Sequence, residues 1–394
     1  MGVSYHRVVA AMGVALLAAL GSAQAADPIK IGYSISKTGF LAVATSVQDQ
    51  AYNLWREQVN ARGGLDIGGA ERRMVEFVVY DDQSDAGKIP QVYDKLLYDD
   101  EVELIMTPYA TPLHVAMVGV VEKRGIPTIG NTASSTLIRE MGTRYMFWTW
   151  PHPDLFVPVV VDFLESVGVK SAAMLTLQLP VNLEYKKFTL PLLEEKGIEL
   201  KVNQEYPPDI KDMTTMVSVV KNQGVDAMIG YAYPSDSILY LNKAREMDVT
   251  APVQFLLIGP HVPVFFDMFG SKLDGVSTIG FWSPKRAEWQ KAKPFHDAYR
   301  ERWGVIPDYG DTVISYASAE ILEAAVAAAG LDYEAMREHL VATTYDTIMG
   351  PIRFEKQSNV STQPGISQIQ SGVPELIYPP SIATSTFQPK ASWD

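Results

Sequence analysis

Cysteine is absent from this 394-residue sequence, which excludes a disulfide framework and any metal site built from thiolates. Basic side chains are also scarce, since 33 lysines and arginines stand against 46 acids and give a formal net charge of −13. Such an acidic chain argues against nucleic acid or an anionic membrane as a partner. The six histidines are scattered without the spacing of metal ligands, so we expect no metal site.

Catalytic signatures are missing as well. The chain has no G-x-S-x-G nucleophile motif, no G-x-x-x-x-G-K-[ST] phosphate loop and no H-E-x-x-H zinc motif. Acids do occur in pairs, at Asp81-Asp82 and Asp99-Asp100. Adjacent residues on a strand point to opposite faces, however, so these pairs do not form a joint acid–base site. The sequence therefore predicts a protein that is not an enzyme and that uses no cofactor.

The first 25 residues have the organisation of a secretory signal peptide. A polar start ends at His6-Arg7, an apolar run of about 13 residues follows, and Ala23-Gln24-Ala25 provides an A-x-A cleavage site. This run is shorter than the roughly 20 residues that span a bilayer, and no later stretch is apolar enough to anchor the chain. We therefore expect an exported, periplasmic protein whose mature chain begins near Ala26.

From Ile29 to Phe281 the chain repeats one unit, in which a short apolar run and a turn precede a longer segment with helical spacing. This alternation predicts βαβ crossovers and parallel sheets with helices on both faces. The predicted strands are 29–35, 74–80, 103–109, 127–130, 171–177, 198–204, 227–231, 253–258 and 276–281. The predicted helices are 46–61, 88–98, 111–123, 154–167, 235–247, 288–300 and 317–329, before a short β-like tail around 352–354.

Three breaks interrupt this pattern. They lie at the proline-containing stretches 148–153 and 282–284 and near 347–351. Each break predicts a crossing between two lobes, so that each lobe is assembled from separate pieces of chain. The resulting division after the 1–25 signal peptide is 26–148 plus 282–346 for lobe 1, and 149–281 plus 347–394 for lobe 2.

Loops at the carboxyl ends of the predicted strands contain the candidate site. Ligands of open α/β sheets bind there because helix N-termini and loop amides converge. Three loops of the first half place hydroxyl groups where a helix is about to begin, among them Thr111, Ser134 and Ser135. They suit an anionic or polar ligand group, and the alternative for each residue is a purely structural N-cap.

Aromatic side chains occupy the same regions. Phe40, Tyr109, Tyr231 and Tyr233 lie in strand-end loops, and Trp150 lies at the first crossing. A small-molecule pocket needs apolar walls with a few placed polar groups, which these residues would provide. Burial in the core is the alternative for each of them.

Short stretches along the whole mature chain resemble a known family. They are Lys30-Ile31-Gly32, Thr38-Gly39, Asn60-Ala61-Arg62-Gly63-Gly64, Tyr80-Asp81-Asp82-Gln83-Ser84-Asp85, Gly125-Ile126-Pro127, Ala133-Ser134 and Gly350-Pro351-Ile352-Arg353-Phe354. In this order and behind a signal peptide, they resemble the periplasmic binding proteins of branched-chain amino-acid ABC transporters, the leucine/isoleucine/valine-binding class.

The resemblance implies a type I periplasmic binding fold, an α/β protein of two Rossmann-like lobes with parallel-sheet cores joined by a three-strand hinge. Such proteins close around their ligand by hinge bending. The first-lobe residues that the resemblance assigns to a ligand carboxylate are Tyr109, Ala110, Thr111, Thr132, Ala133 and Ser134. Second-lobe aromatics at 231–233 would cover the ligand. The expected partners of this monomeric receptor are a small molecule and a membrane permease.

Two departures from the family pattern bear on the ligand. Amino-acid binders place an acid after the Gly-Pro that matches Gly259-Pro260, to hold the α-ammonium, and here that residue is His261. A neutral imidazole cannot supply a full negative charge in a desolvated pocket. His261 therefore predicts a carboxylate that lacks the amine, unless His261 points away and another acid does the work. A Tyr-Gly pair is also missing near 179–185, where Tyr185 either substitutes or lies on a helix surface.

We therefore predict the solute-binding component of an ABC uptake transporter, with a small organic anion bound between two closing lobes. An aromatic or apolar carboxylate is preferred. An amino-acid receptor of the same transporter class is one alternative. A periplasmic sensor that signals to a membrane partner is the other, because both kinds of receptor use the same lobe closure.

Overall fold

The computed structural model describes residues 26–69 and 71–393, so the predicted signal peptide lies outside the described residues. The strands are β1 (Ile29–Ile35), β2 (Leu65–Asp66), β3 (Arg72–Arg73), β4 (Val75–Asp81), β5 (Leu104–Ile105), β6 (Thr128–Gly130), β7 (Met146–Trp148), β8 (Ser171–Leu177), β9 (Glu199–Tyr206), β10 (Ala227–Tyr231), β11 (Val253–Leu256), β12 (Val276–Gly280), β13 (Thr344–Thr347), β14 (Gly350–Glu355), β15 (Ser358–Asn359), β16 (Gly365–Gln370) and β17 (Val373–Tyr378). The α-helices are α1 (Ala42–Ala61), α2 (Ile89–Tyr98), α3 (Thr111–Arg124), α4 (Thr136–Glu140), α5 (Pro153–Ser166), α6 (Pro180–Glu195), α7 (Thr214–Gln223), α8 (Pro234–Glu246), α9 (Pro263–Phe269), α10 (Ala292–Trp303), α11 (Asp311–Ala329) and α12 (Tyr333–Ala342).

Parallel strands form the core of both lobes. The first lobe contains the parallel order β4-β1-β5 and a second sheet of order β13-β14-β15-β7-β6. The second lobe has one seven-stranded sheet of order β17-β16-β12-β11-β10-β8-β9, which is parallel from β12 to β9. The predicted α/β architecture with parallel-sheet cores is confirmed.

Local signals explain where several elements begin and end. The strands β1, β8 and β10 have the predicted bounds. Helix α3 has Pro112 in its first turn and ends at Gly125, whose φ of 67° is typical of a glycine C-cap. Strand β5 is shorter than the predicted 103–109 because the chain leaves the sheet after Ile105 and turns into α3. Helix α6 and the hairpin β16–β17 were not predicted.

The third crossing between the lobes lies later than predicted. We expected the chain to enter the second lobe near residue 347, but β14 and β15 still belong to the first-lobe sheet. The reason is a tight turn at Gly350, with φ of 77°, which folds β14 back against β13. Strand β15 then pairs with β7, Ser358 opposite Trp148. The chain therefore joins the second-lobe sheet only at β16.

Helix α11 is the central helix of the first lobe and packs against α1. By length and composition this helix is apolar enough to cross a membrane, with a mean hydropathy of 1.3. The expectation that no stretch after the signal peptide is apolar enough is corrected by this finding. However, 67% of that window is buried inside the protein. This burial is typical of a core helix in a large α/β protein.

Candidate functional site

A cavity lies between the lobes, at the carboxyl ends of the parallel strands. The lining residues are Thr111, Thr132, Ser134, Trp150 and Asp311 from the first lobe and hinge, and Val181, Asn182, Tyr185, Tyr233, Leu257 and Ile258 from the second lobe. The structure thus brings together five residues that were predicted from the sequence: Thr111, Thr132, Ser134, Trp150 and Tyr233.

The hydroxyl wall of the cavity consists of Thr111, Thr132 and Ser134. Thr132 Oγ1 accepts a hydrogen bond from Ala110 N at 3.1 Å, and its own hydroxyl hydrogen has no acceptor among the residues that the structure describes, so it can donate into the cavity. Thr111 Oγ1 accepts from Ser134 N at 3.0 Å. Helix α3 starts here without a side-chain cap on its first amides. The hydroxyl hydrogens of Ser134 and Thr111 are already donated, to Pro151 O at 2.8 Å and to Ser134 O at 3.5 Å. The Thr132 donor beside a free helix N-terminus suits a carboxylate.

Ala110 holds this wall in a strained conformation. Its φ of 68° and ψ of 150° lie in a region that residues other than glycine rarely adopt. Strain of this kind costs about 1–3 kcal/mol and is concentrated at functional sites. By contrast, Ser135 fulfils the structural alternative, because its side chain accepts from Leu137 N at 3.2 Å as the N-cap of α4.

The apolar wall consists of Trp150, Val181, Tyr185, Tyr233, Leu257 and Ile258. Tyr185 OH lies 2.8 Å from Ser134 Oγ, so Tyr185 faces the ligand space instead of the helix surface. Tyr231 was predicted to contact the ligand, but it packs behind Tyr185, with ring centroids 5.4 Å apart, and its hydroxyl pairs with Thr189. Burial raises the pKa of both tyrosines, which keeps their hydroxyls protonated.

Three further predicted residues shape the cavity without lining it. Phe40 lies at the rim, 38% exposed, where its ring meets Tyr233 edge-on at a centroid distance of 6.2 Å. Ala133 is buried in the loop between the two hydroxyl-bearing residues of the hydroxyl wall. Tyr109 is buried and donates its hydroxyl hydrogen to Asp311 Oδ2 at 2.6 Å.

His261 does not line the cavity, so the structure does not support the predicted contact with the ligand, which stays a prediction. Its Nε2 lies 2.7 Å from Ile279 O, and because a carbonyl only accepts, this nitrogen donates. Its Nδ1 faces Asp308 Oδ2 of the first lobe at 3.4 Å. Both ring nitrogens are therefore directed at protein groups, and His261 packs the lobes together behind the cavity.

The acid inside the cavity is Asp311, which the sequence reasoning missed. It is the first residue of α11 and only 2% exposed. Burial and the neighbouring Asp308 raise its pKa well above the ordinary value. An acid in the first turn of a helix is commonly a dipole-stabilising residue, so its position in the sequence offered no reason to single it out.

Direct contacts hold the lobes closed beside the cavity. Glu184 of α6, in the second lobe, accepts hydrogen bonds from Ser135 Oγ at 2.6 Å and Thr136 N at 2.9 Å, at the start of first-lobe helix α4. Arg139 of α4 pairs with Asp154 of α5 at 2.5 Å. A ligand in this cavity would be enclosed by both lobes.

Comparisons with known proteins match most of this chain to periplasmic binding proteins. A family model described as periplasmic binding protein matches residues 28–370. The Leu/Ile/Val-binding protein homolog 7 of Brucella suis biovar 1 (strain 1330) is 25% identical over 400 residues, covering 96% of this chain and 98% of the relative. The leucine-, isoleucine-, valine-, threonine- and alanine-binding protein of Pseudomonas aeruginosa is 24% identical over 357 residues, covering 90% of this chain and 92% of the relative.

Solved structures show the same fold. A branched-chain amino acid transporter substrate-binding protein of Streptococcus pneumoniae, in complex with isoleucine, has a TM-score of 0.78 at 19% identity and covers 89% of this chain and 100% of its own. An ABC transporter solute-binding protein of R. palustris, in complex with benzoate, has a TM-score of 0.75 at 18% identity and covers 89% of this chain and 95% of its own. At these identities the likeness establishes the fold alone.

Proposed function

Because the chain belongs to the periplasmic binding protein family, we propose that it is the solute-binding component of an ABC uptake transporter, and that its ligand is a small organic acid with an apolar or aromatic body. Family membership makes it a solute-binding protein and implies a periplasmic location. Delivery of the solute to a membrane permease belongs to the proposal, as does the nature of the ligand.

The observation that carries the ligand assignment is the hydroxyl wall. Thr132 retains a free hydroxyl hydrogen, and the uncapped first turn of α3 adds partial positive charge on the same side of the cavity. A carboxylate accepts hydrogen bonds only, so it complements the Thr132 donor on this wall. The apolar wall opposite, with Trp150, Tyr185 and Tyr233, would pack against the remainder of the ligand.

The choice between a simple carboxylate and an amino acid is not decided by His261. The preference for a ligand without an amine depended on His261 occupying the ammonium position, and His261 is directed away from the cavity. Structures similar to this chain include one receptor solved with isoleucine and another solved with benzoate, so this fold accommodates both ligand classes.

Thermal denaturation in the presence of candidate acids tests the assignment. A ligand at a hundredfold excess over its dissociation constant adds about 2.7 kcal/mol of stability, which raises the midpoint measurably. Thr132→Val removes the free donor, and we expect it to weaken binding of a carboxylate about tenfold or more. Thr128→Val is the matched control, because Thr128 is also buried but bonds Ile126 O outside the cavity.

Two results would contradict the assignment. One is a folded protein that no carboxylate stabilises, and the other is a Thr132→Val variant that binds the acid as tightly as the control does. The transport role is tested separately, by measuring uptake of the bound acid in cells with and without the gene. Unchanged high-affinity uptake in the deletion strain would favour the sensor alternative.

A further inference from the structure

We propose that His114 positions the hydroxyl wall: its imidazole links the two loops of that wall and so fixes the direction of the Thr132 donor. The inference rests on the proposed function, because the positioned group is the one that meets the ligand carboxylate. His114 does not line the cavity. It therefore acts on binding through Ala110 and Thr132, without touching the solute.

The hydrogen bonds of His114 reach both loops at once. His114 is fully buried and lies in the first turn of α3. Its Nδ1 lies 3.0 Å from Ala110 O, in the loop that precedes α3. Its Nε2 lies 3.3 Å from Asn131 N, in the loop that follows β6. Asn131 is the residue before Thr132, so one imidazole holds both sides of the hydroxyl wall.

These two partners fix the state of the imidazole ring. A backbone N–H only donates, so the Nε2 that faces Asn131 N carries no hydrogen. A neutral imidazole has one N–H group, which then lies on Nδ1 and donates to Ala110 O. Burial lowers the pKa of His114 to about 4, which keeps the ring neutral at neutral pH. A protonated ring would offer Asn131 N no acceptor.

The bonds of His114 belong to a closed ring that passes through the strained residue Ala110. Ala110 N donates to Thr132 Oγ1, and Ala110 O accepts from His114. Thr132 follows Asn131 in the chain, and Asn131 N returns to His114 Nε2. A strained backbone persists only where its surroundings over-determine it. Since His114 and Thr132 hold the carbonyl and the amide of Ala110, removal of His114 lets this residue relax and the Thr132 donor move.

Packing restrains the imidazole as well. His114 lies beside Trp148 of β7, with ring centroids 6.1 Å apart. A methyl group at Gly130, the last residue of β6, would lie 2.7 Å from the Trp148 ring and 3.3 Å from His114 Cδ2. Glycine at this position therefore lets both rings pack against the strand. The imidazole is held at the end of β6, where it meets Asn131.

A double-mutant cycle separates a positioning role from a merely structural one. Isothermal titration calorimetry would be run with benzoate, 4-methylpentanoate and L-leucine. His114→Ala removes both links, and we expect it to weaken binding of the acid about tenfold or more. In a Thr132→Val background the same change should cost less than about threefold further, because the donor that His114 positions is already absent. His114→Gln keeps an acceptor near the Nε2 position, so its affinity should lie between those of wild type and His114→Ala.

Val121→Ala is the matched control, since Val121 is buried on the same helix, about 10 Å further along its axis. It should lower the unfolding free energy without changing the affinity. Unchanged affinity of folded His114→Ala protein, or an equal loss in the Thr132→Val background, would overturn the positioning role and leave the proposed function intact.

Histidine nitrogen NMR of the wild-type protein needs no variant, so a poorly folding His114→Ala would not prevent a decision. We expect the hydrogen of His114 on Nδ1 at neutral pH. A hydrogen on Nε2 would break the link to Asn131 N and overturn the proposal. If folded wild-type protein binds none of the three acids, the proposed function fails as well.

Discussion

Glu184 offers the sharpest test of how the lobes are held closed. Its carboxylate accepts hydrogen bonds from Ser135 Oγ and Thr136 N at 2.6 and 2.9 Å, and a third from Thr136 Oγ1. These donors lie on the other lobe, so the bonds exist only in the closed state. Each lobe has its own sheet, and we therefore expect Glu184→Gln to shift closure without unfolding either lobe.

The magnitude follows from the change in charge. A hydrogen bond to a charged group contributes about 1.5–3 kcal/mol and a neutral one about 0.5–1.5 kcal/mol. Glutamine keeps one acceptor and Glu184 is only half-buried, so we expect a loss of about 1–2 kcal/mol in the closed state. That corresponds to a closing equilibrium about 5- to 30-fold less favourable, and the apparent affinity should fall by up to the same factor.

Small-angle scattering of the unliganded protein and calorimetric titration of the ligand measure these two effects. The variant should be more expanded without ligand than the wild type and should become equally compact at saturation. Glu195→Gln is the control, because Glu195 is exposed on the same helix. Unchanged affinity together with unchanged scattering would show that the Glu184 contacts do not stabilise closure.

Two further predictions concern the buried polar groups. First, Asp311→Asn should stabilise the protein without ligand by about 1–2 kcal/mol at neutral pH, because it removes a buried carboxylate whose pKa is raised by burial and by Asp308. Because the pKa of Asp311 is higher in the folded than in the unfolded state, the wild type loses stability as pH rises above the unfolded value of about 3.9. The extra stability of the variant should therefore vanish below that pH. Urea unfolding of both proteins would check this. Second, His261→Asn should cost about 1–3 kcal/mol of unfolding free energy through the lost bond to Ile279 O, yet leave the order of affinities among candidate acids unchanged. A changed order would return His261 to the ligand site.

Much of the fold and part of the site could be predicted because their signals are local. Alternation of apolar runs and helical spacing located most strands of the second lobe to within a residue or two, and it did so because strand and helix periodicities are properties of adjacent residues. Strand-end position was enough to select Thr132 and Tyr233, since parallel strands deliver their following loops to one edge of the sheet. The crossing into β16 was misplaced, because strand pairing between β15 and β7 joins segments that are far apart in the chain.

The sequence by itself determined the α/β class, the family resemblance and the loops that form the hydroxyl wall. Only the tertiary structure decided which way His261 and Tyr185 point, and that Asp311 reaches the same cavity as Thr132. The physical reason is that a side chain at a lobe interface takes its direction from partners on the other lobe or on a distant helix. Tyr109 meets Asp311 across 202 positions of sequence, a distance over which no periodicity carries information.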